Sequence, residues 1–503
     1  MKTTVAITLL LLMGGAVRST ASNVQNVRVA QLRDGSQQVE VRYDLGAGAG
    51  EEGVNIAAVA SVDGGQSWTL RVQTVLPVPG QGAPAFGPGV HDGNDIGFLW
   101  SAGEDYPDFS CLDLTIRVVA SDPTGFTRTY GGEGFDIGYC LVATSDGGAL
   151  IVGSTSSYGG GGRDLWVVKV DEEGNEQWQR LVGGAQDEVG LDAAVLPGGG
   201  YLVAGTVESW GTGGSDLFLL RIDADGVPIW GRNFGGAQDD TNPHVEAMSG
   251  GDILLGGSLR RIDGLPGDPY WHSDVYLARL DSLGEPRWES LLDGPGRSCV
   301  EDEPTHEGPD ALIGLHAGDS GSATTFSDYF DTCSFFEGYR AVWRVEYAGD
   351  GTILDSSLPL YDWNHQNESW FWTRAYQPLP GSGYLLAGDY SSIEGHQAFV
   401  FRAGQEPWHE IYADLPNYFN AITLCADGTV IGVGRTRDTV GGQLMIARLS
   451  RSGALLWWRS YDVWTESMAC DVHECLDGSL LIAGSADGDL LILKTDADGN
   501  LTP

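Results

Sequence analysis

The sequence predicts an all-β fold: a β-sandwich domain followed by a seven-bladed β-propeller. A short apolar phrase containing glycine recurs along the chain, and the 503 residues include 74 glycines. Segments with helical periodicity are nearly absent after the first 20 residues. Such repeats indicate a repeat architecture, and short apolar runs between glycine-rich turns indicate strands. The copies of the phrase are Ala149–Thr155, Tyr201–Thr206, Ile253–Ser258, Leu385–Gly388, Val430–Gly434 and Leu480–Ser485, with a degenerate copy at Ala311–Gly318.

Residues 1–22 are typical of a secretory signal peptide. Lys2 supplies the positive start, Val5–Val17 is an apolar run, and Ser19–Ser22 offers small residues for cleavage. The apolar run is too short to span a membrane, and no later segment is long enough. We therefore expect export without membrane insertion.

Residues 23–121 alternate apolar and polar side chains in short runs separated by turn signals. Clear examples are Val27–Ala30, Gln38–Tyr43, Val54–Ala60, Trp68–Val72 and Leu114–Val119. About seven short strands in about 100 residues favour a two-sheet sandwich. The pattern resembles immunoglobulin-like and fibronectin type III-like modules.

Residues 125–503 hold the repeats. The unit Gly138–Gly184 predicts four antiparallel strands, which is the composition of a propeller blade. The phrase of its third strand, Asp164–Asp171, recurs six times, which predicts seven blades. The recurrences are Asp216–Asp223, Asp274–Asp281, Ala341–Tyr347, Ala398–Ala403, Leu444–Leu449 and Leu490–Asp496.

The two ends of the repeat array predict a closed ring. The last repeat stops at Asp496–Asn500, where its outer strand should begin. That strand is found at the other end, because Phe126–Gly132 matches Trp178–Gly184 and Trp230–Gly236. An N-terminal strand that completes the last blade would remove two exposed sheet edges.

One face of the propeller carries the variable segments. Loops between the second and third strands share that face with the connections from fourth strands, and the long ones are Gly257–Ser273, Ala317–Tyr339 and Leu360–Tyr376. Long loops on a rigid scaffold are where binding usually resides. The alternative is that their aromatics fill the channel mouth or pack the irregular fourth blade. The candidate binding residues are Trp210, Tyr270, Trp271, His272, Trp363, His365, Trp370 and Trp372.

The net charge of −41 opposes binding to nucleic acid and to anionic membranes. We expect a glycan, a peptide or a protein as partner. Asp223–Gly226 and Asp496–Asn500 resemble calcium loops but lack the full set of oxygens, so turns are expected, with Ca²⁺ as the alternative. Ser61–Trp68 fits the Asp-box pattern, which is a structural hairpin. No cofactor, metal or catalytic residue is predicted.

Cys140, Asp192 and His244 occupy matching positions in the predicted inner strands, so we expect them to line the central channel. Seven cysteines leave at least one unpaired, and Cys299 with Cys333 is the first candidate disulfide. Cys470 and Cys475 should point to opposite faces of one strand and should not bond to each other.

Two resemblances concern the repeats. Segments such as Val170–Trp178 resemble the repeats of pyrroloquinoline-quinone dehydrogenases, in which the tryptophan packs between blades. Those enzymes use eight blades and adjacent cysteines, so quinoprotein activity is not expected. Residues 125–503 as a whole resemble secreted bacterial propeller-repeat proteins with quinoprotein-like or WD40-like repeats. The resemblance implies a fold, and a bacterial periplasmic, extracellular or cell-surface location.

The sequence favours a secreted, non-catalytic binding or scaffolding protein that uses the variable face. The alternative is a carbohydrate-active hydrolase or lyase with its site on the same face. A close carboxylate pair in a deep pocket would favour the enzyme.

Overall fold

The computed structural model describes residues 24–32, 34, 36–46, 53–62, 70–80, 85–106, 114–121, 125–248, 250–265, 268–292, 311–318, 322–331, 339–361, 370–379, 383–392, 395–404, 407–416, 418–436, 442–461 and 463–501. The predicted signal peptide, most of the Asp box, Cys111, Cys299 and Cys333 lie outside these residues. Strand makes up 65% of the chain and helix 1%, which confirms the all-β prediction. No helix in the described part is long and apolar enough to cross a membrane.

Two compact units make up the chain. One comprises residues 1–126, 474–480 and 494–503, and the other comprises residues 127–473 and 481–493.

The first unit contains eight strands and one short helix before residue 126. They are β1 (Val24–Gln31), β2 (Val39–Leu45), β3 (Val54–Ser61), β4 (Leu70–Arg71), β5 (Val75–Pro77), β6 (Gly87–Val90), β7 (Gly93–Trp100), α1 (Ala102–Asp105) and β8 (Thr115–Ser121). One sheet has the order β1-β2-β7-β5, and in the other β3 pairs with β4, β6 and β8. Val41 and Phe98 of the first sheet share one core with Ile56 and Ile116 of the second. The alternating burial of β2 shows why: one side of the strand faces this core.

The remaining strands form seven four-stranded sheets among the described residues. The strands are β9 (Phe126–Tyr130), β10 (Asp136–Ala143), β11 (Ala149–Thr155), β12 (Asp164–Val170), β13 (Glu176–Val182), β14 (Glu188–Val195), β15 (Tyr201–Val207), β16 (Asp216–Ile222), β17 (Pro228–Phe234), β18 (Thr241–Ala247), β19 (Ile253–Leu265), β20 (Asp268–Leu280), β21 (Pro286–Leu292), β22 (Ala311–Ala317), β23 (Ala323–Asp331), β24 (Tyr339–Tyr347), β25 (Ile353–Tyr361), β26 (Trp370–Leu379), β27 (Gly383–Ser392), β28 (Gly395–Ala403), β29 (Trp408–Pro416), β30 (Tyr418–Leu424), β31 (Val430–Arg435), β32 (Leu444–Leu449), β33 (Leu455–Ser460), β34 (Ser467–Glu474), β35 (Leu480–Ala486) and β36 (Asp489–Thr495). Six sheets take four consecutive strands, starting with β10–β13 and ending with β30–β33. The seventh has the order β34-β35-β36-β9, so the predicted pairing of the early strand with the last repeat is present.

The fourth sheet differs from the sequence prediction. Ala311–Gly318 was expected as a copy of the second-strand phrase, but Ala311–Ala317 is the first strand of its sheet. The chain turns immediately afterwards, since Gly318 N donates to Ser322 O at 2.8 Å, and β23 is the second strand. The expectation was wrong because an apolar run with one glycine fits either inner strand of a sheet.

Two expected loops contain paired strands. In Gly257–Ser273 the pairing of β19 with β20 continues to Leu265 and Asp268, and within Ala317–Tyr339 the residues Ala323–Asp331 form β23, paired with β24. Pairing satisfies the backbone groups of these extensions, whatever their side chains. Their sequences lack the apolar alternation that would have predicted strands.

The glycine of the repeated phrase faces an irregularity in the first strand. In the first repeat, the register of β10 against β11 shifts between Gly138 and Cys140, as at a β-bulge. A Cβ on Gly153 would overlap the carbonyl oxygen of Ile137 and lie 2.8 Å from its carbon. Gly205 meets Val189 in the same way in the next sheet. The phrase therefore requires glycine because the bulge brings one backbone against another.

In four of the sheets a tryptophan of the outer strand packs on the following sheet; these are Trp178, Trp230, Trp288 and Trp408. A Cβ on Gly226 would lie 2.7 Å from the Trp178 ring, so the indole packs directly on the turn of the next sheet. Arg180 adds hydrogen bonds from Nε to Gly226 O at 2.8 Å and from Nη2 to Asp225 O at 2.7 Å. This confirms the expectation that these tryptophans pack between neighbouring repeats.

Candidate binding site

The first strands of all seven sheets line one cavity of about 560 Å³. Each strand contributes a short segment from its middle. The segments are Tyr139–Cys140, Leu191–Val195, His244–Ala247, Ile313–Leu315, Arg374–Pro378, Asn420–Ile422 and Cys470–Val472. The prediction that Cys140, Asp192 and His244 share this lining is confirmed.

Asp192 lies between the other two predicted residues. Its Oδ1 is 3.5 Å from Cys140 Sγ, and its Oδ2 is 3.4 Å from His244 Nδ1. The thiol is therefore hydrogen-bonded to a carboxylate rather than to the imidazole that would activate it. Burial, reinforced by the Asp192 charge, raises the pKa of the Cys140 thiol well above its usual value. Cys140 remains protonated and is a poor nucleophile.

Three carboxylates of the cavity wall also hold neighbouring sheets together. Val245 N donates to Asp192 Oδ2 at 2.9 Å, Ala317 N to Glu246 Oε2 at 2.6 Å, and Leu141 N to Asp471 Oδ2 at 2.8 Å. Each acceptor lies on one sheet and each donor on the next. These bonds satisfy backbone N–H groups of first strands, each of which is an edge strand of its sheet.

Asp471 combines this structural role with an unusual protonation equilibrium. Burial raises its pKa to about 7, with a further contribution from the Asp192 charge, against the opposing hydrogen bonds from Leu141 N and Val472 N. Asp471 therefore takes up a proton at a higher pH than an ordinary aspartate does. Sequence analysis missed Asp471, although it is the fifth residue of its strand, as are Cys140 and Asp192.

The two kinds of connection that were predicted to share the variable face lie together at the junction of the first two sheets. Gln186 N, between β13 and β14, donates to Ser209 Oγ at 2.9 Å, and Glu208 N donates to Asp187 O at 3.0 Å. The loop after a second strand thus lies beside the connection that follows a fourth strand.

The candidate binding residues fall in different settings on this face. Trp210 is partly buried and packs edge-to-face on Phe218, with ring centroids 6.0 Å apart. Tyr270, Trp271 and His272 lie in β20, where the backbone of Trp271 pairs with Ile262. Trp370 begins β26, and Trp363 and His365 lie outside the described residues. Trp372 has a 43% exposed side chain.

Trp372 has polar neighbours that the sequence did not single out. It pairs across β26 and β27 with Asp389, a buried residue whose Oδ2 is 2.8 Å from His396 Nδ1. Asp389 follows the glycine of the repeated phrase, where four other copies have serine or threonine, as at Ser154, and one has Arg435. That departure from the repeat is the signal that could have identified it. An exposed indole beside an imidazole–carboxylate pair offers stacking and hydrogen bonding together.

The two loops that resemble calcium sites use their carboxylates internally. Asp223 Oδ1 accepts from Asp225 N at 3.0 Å and from Val227 N at 2.8 Å. Asp496 Oδ1 likewise accepts from Asp498 N and Asn500 N. These bonds favour the turn interpretation for both loops.

Cys470 and Cys475 are both free thiols, which confirms that they do not bond to each other.

No protein-family model matches the chain. The regulatory protein FlaEY of Caulobacter vibrioides is 30% identical over 146 residues, which are 25% of this chain and 15% of that protein. The match therefore spans a small part of that relative's length.

Several solved structures are similar to the chain. They include the polysaccharide lyase Uly1 (TM-score 0.48, 10% identity, 73% of this chain and 92% of that one), the Pan2 WD40 domain of Neurospora crassa (0.41, 10%, 74% and 96%) and puromycin hydrolase (0.44, 13%, 74% and 55%). These neighbours are propeller or WD40-like folds. At such TM-scores and identities, the likeness carries no argument about activity.

Proposed function

We propose that the seven sheets are the blades of a β-propeller closed by β9, within residues 125–503. The support is that all seven first strands line one cavity and that β9 joins the sheet of β34–β36. In this proposal residues 1–22 are a signal peptide and residues 23–121 are an immunoglobulin-like or fibronectin type III-like sandwich. The protein is exported to the periplasm, the exterior or the surface of a bacterium.

The function we propose is non-catalytic binding or scaffolding through the variable face. The observation that carries it is the exposed Trp372 beside the Asp389–His396 pair, on the face where the hairpins are longest. Exposed aromatic rings next to polar groups suit the faces of sugars and the side chains of peptides. The net charge of −41 disfavours nucleic acid, so a glycan, peptide or protein is the proposed partner.

Trp372→Ala should weaken binding to any glycan or peptide recovered from array screening by about tenfold or more, because a central aromatic contact contributes about 2 kcal/mol. Trp458→Ala is the matched control, since Trp458 is 39% exposed but lies on an outer strand. Affinities would be measured by calorimetry on the full chain. Equal affinities for the Trp372 variant and the wild type would contradict the proposed site.

A second candidate, a carbohydrate-active hydrolase or lyase, is supported by the Asp192–Asp471 pair in the cavity. Acid–base cleavage of a glycoside uses two carboxyl groups, and a raised pKa such as that of Asp471 suits one of them to act as the acid. The pair fits this role less well than a structural one, because both oxygens of Asp471 already accept backbone N–H groups.

The enzyme candidate predicts that neutral or uronic-acid polysaccharides are cleaved and that Asp471→Asn lowers the rate at least about 100-fold. Product analysis by mass spectrometry would measure this. Glu466→Gln, which changes an exposed carboxylate away from the cavity, is the control. Binding without products in the wild type would remove this candidate and leave the binding proposal intact.

A further inference from the structure

Acidic side chains meet across a repeated glycine at three junctions between sheets. The pairs are Asp489 with Asp136, Asp164 with Glu188, and Asp216 with Asp240. At the first junction, a Cβ on Gly131 would overlap Asp136 Oδ2 and lie 2.5 Å from Asp489 Oδ1. The missing side chain of Gly131 therefore allows one oxygen of each carboxylate to approach the same stretch of backbone.

Within the described residues, no ion pair places a positive charge at Asp136 or Asp489. Asp136 is fully buried; its Oδ2 accepts from Gly132 N at 3.1 Å and from Ser157 Oγ at 2.6 Å. Its Oδ1 is buried and has no hydrogen-bond partner in the described part of the chain. A buried carboxylate with an unsatisfied oxygen beside a second carboxylate is unfavourable unless a cation or proton joins it.

In the third sheet, the position equivalent to Asp489 has a cationic partner. Asp274 corresponds to Asp489 in the repeat and is 1% exposed. Arg261, on the preceding strand, places Nη1 3.2 Å from Asp274 Oδ2. Where the chain supplies a cationic group, that group therefore lies at this carboxylate.

We propose that Asp136 and Asp489 bind a Ca²⁺ ion beside Gly131. Ca²⁺ takes six to eight oxygen ligands in flexible geometry, and carboxylates are its usual charged ligands. Among the described residues no three His, Cys, Asp or Glu side chains converge on one point, so backbone carbonyls, Ser157 Oγ and water would complete the shell. Asp489 is only half-buried, which gives water access to the site.

The Asp216–Asp240 junction differs and serves as an internal contrast. Both residues are almost completely buried, at 1% and 0% exposure. Their oxygens accept from Thr212 N, Gly236 N and Arg260 N. With no orphaned oxygen and no water access, this pair is suited to hold a proton rather than a hydrated cation.

Calcium chloride at 5 mM should raise the Tm of the full chain by about 1–3 °C, relative to EDTA at constant ionic strength. Kd should be about 10⁻⁴–10⁻³ M, as in extracellular calcium modules. Asp489→Asn should abolish the response and should also raise Tm in EDTA, because it removes the repulsion with Asp136. If Asp489 had a merely structural role, the same substitution would lower the Tm in EDTA.

Terbium luminescence provides a local readout. Tyr158 donates from its hydroxyl to Gly131 O at 2.5 Å, so Tb³⁺ at the site should be sensitised by this ring. Tyr158→Phe should lower the Tb³⁺ luminescence, because phenylalanine absorbs less in the tyrosine band. Adding Ca²⁺ should displace Tb³⁺ and also lower the luminescence. Asp350→Asn, at an exposed turn of another sheet, is the charge-matched control and should leave both signals unchanged. Equal responses in the Asp489 and Asp350 variants, or no calcium effect in the wild type, would overturn the proposal.

Discussion

Gly153→Ala should destabilise the protein by about 3 kcal/mol or more, or prevent folding, although it adds one methyl group. The new Cβ would overlap the carbonyl oxygen of Ile137, a backbone atom fixed by the bulge in β10. A contacting side chain could rotate away from the new methyl group, but the contacting atom is a backbone oxygen. The substitution must therefore disrupt the β10–β11 pairing or change the bulge. The free energy of unfolding would be measured by urea denaturation.

Gly198→Ala is the control for this experiment. Its Cβ would meet no atom within 4 Å, and its backbone does not need glycine. We expect a change within about 0.5 kcal/mol. Gly205→Ala should reproduce the large loss in the second sheet, because its Cβ would overlap Val189 O. A Gly153 variant as stable as the Gly198 variant would show that the bulge is not rigid.

The repeat made much of the fold predictable. Spacing alone located the third strand of every sheet, and it paired Phe126–Tyr130 with the last repeat. The reason for the glycine of the repeated phrase, a bulge opposite Gly153, could not be predicted because bulges leave no side-chain pattern. Ala311–Ala317 was assigned to the wrong strand for another reason: an apolar run with a glycine fits either of two adjacent strands.

The cavity was predicted in part because its lining follows the register of the repeat. Cys140, Asp192 and His244 were found by matching positions. Asp471 was missed although it obeys the same register. Asp389 is a different case. It can be recognised only as an exception, an acid where four other copies carry a hydroxyl group, and its partner His396 lies on another strand.

Asp240→Asn should remove a fall in stability that the wild type shows as pH rises from about 4 to about 6. Burial raises the pKa of Asp240 to about 6, and the Asp216 and Asp239 charges add to this, against hydrogen bonds from Gly236 N and Arg260 N. The folded state therefore binds a proton more tightly than the unfolded state, so deprotonation across this window favours unfolding. The effect is about 3 kcal/mol, since one pKa unit corresponds to about 1.4 kcal/mol.

The slope of unfolding free energy against pH is the proper readout, measured in EDTA from pH 4 to pH 7. Asparagine also loses one acceptor for the two backbone donors, but that loss is the same at every pH. Asp187→Asn provides the opposite sign, because the Arg163 N hydrogen bond and then the Arg163 guanidinium lower the pKa of Asp187 despite partial burial. Its stabilisation is present above the unfolded pKa and disappears as pH falls through the folded one, so its variant should lose stability at neutral pH. If the Asp240 variant kept the wild-type slope, the buried pair with Asp216 would not hold a proton, and a bound cation would become the better account of that junction too.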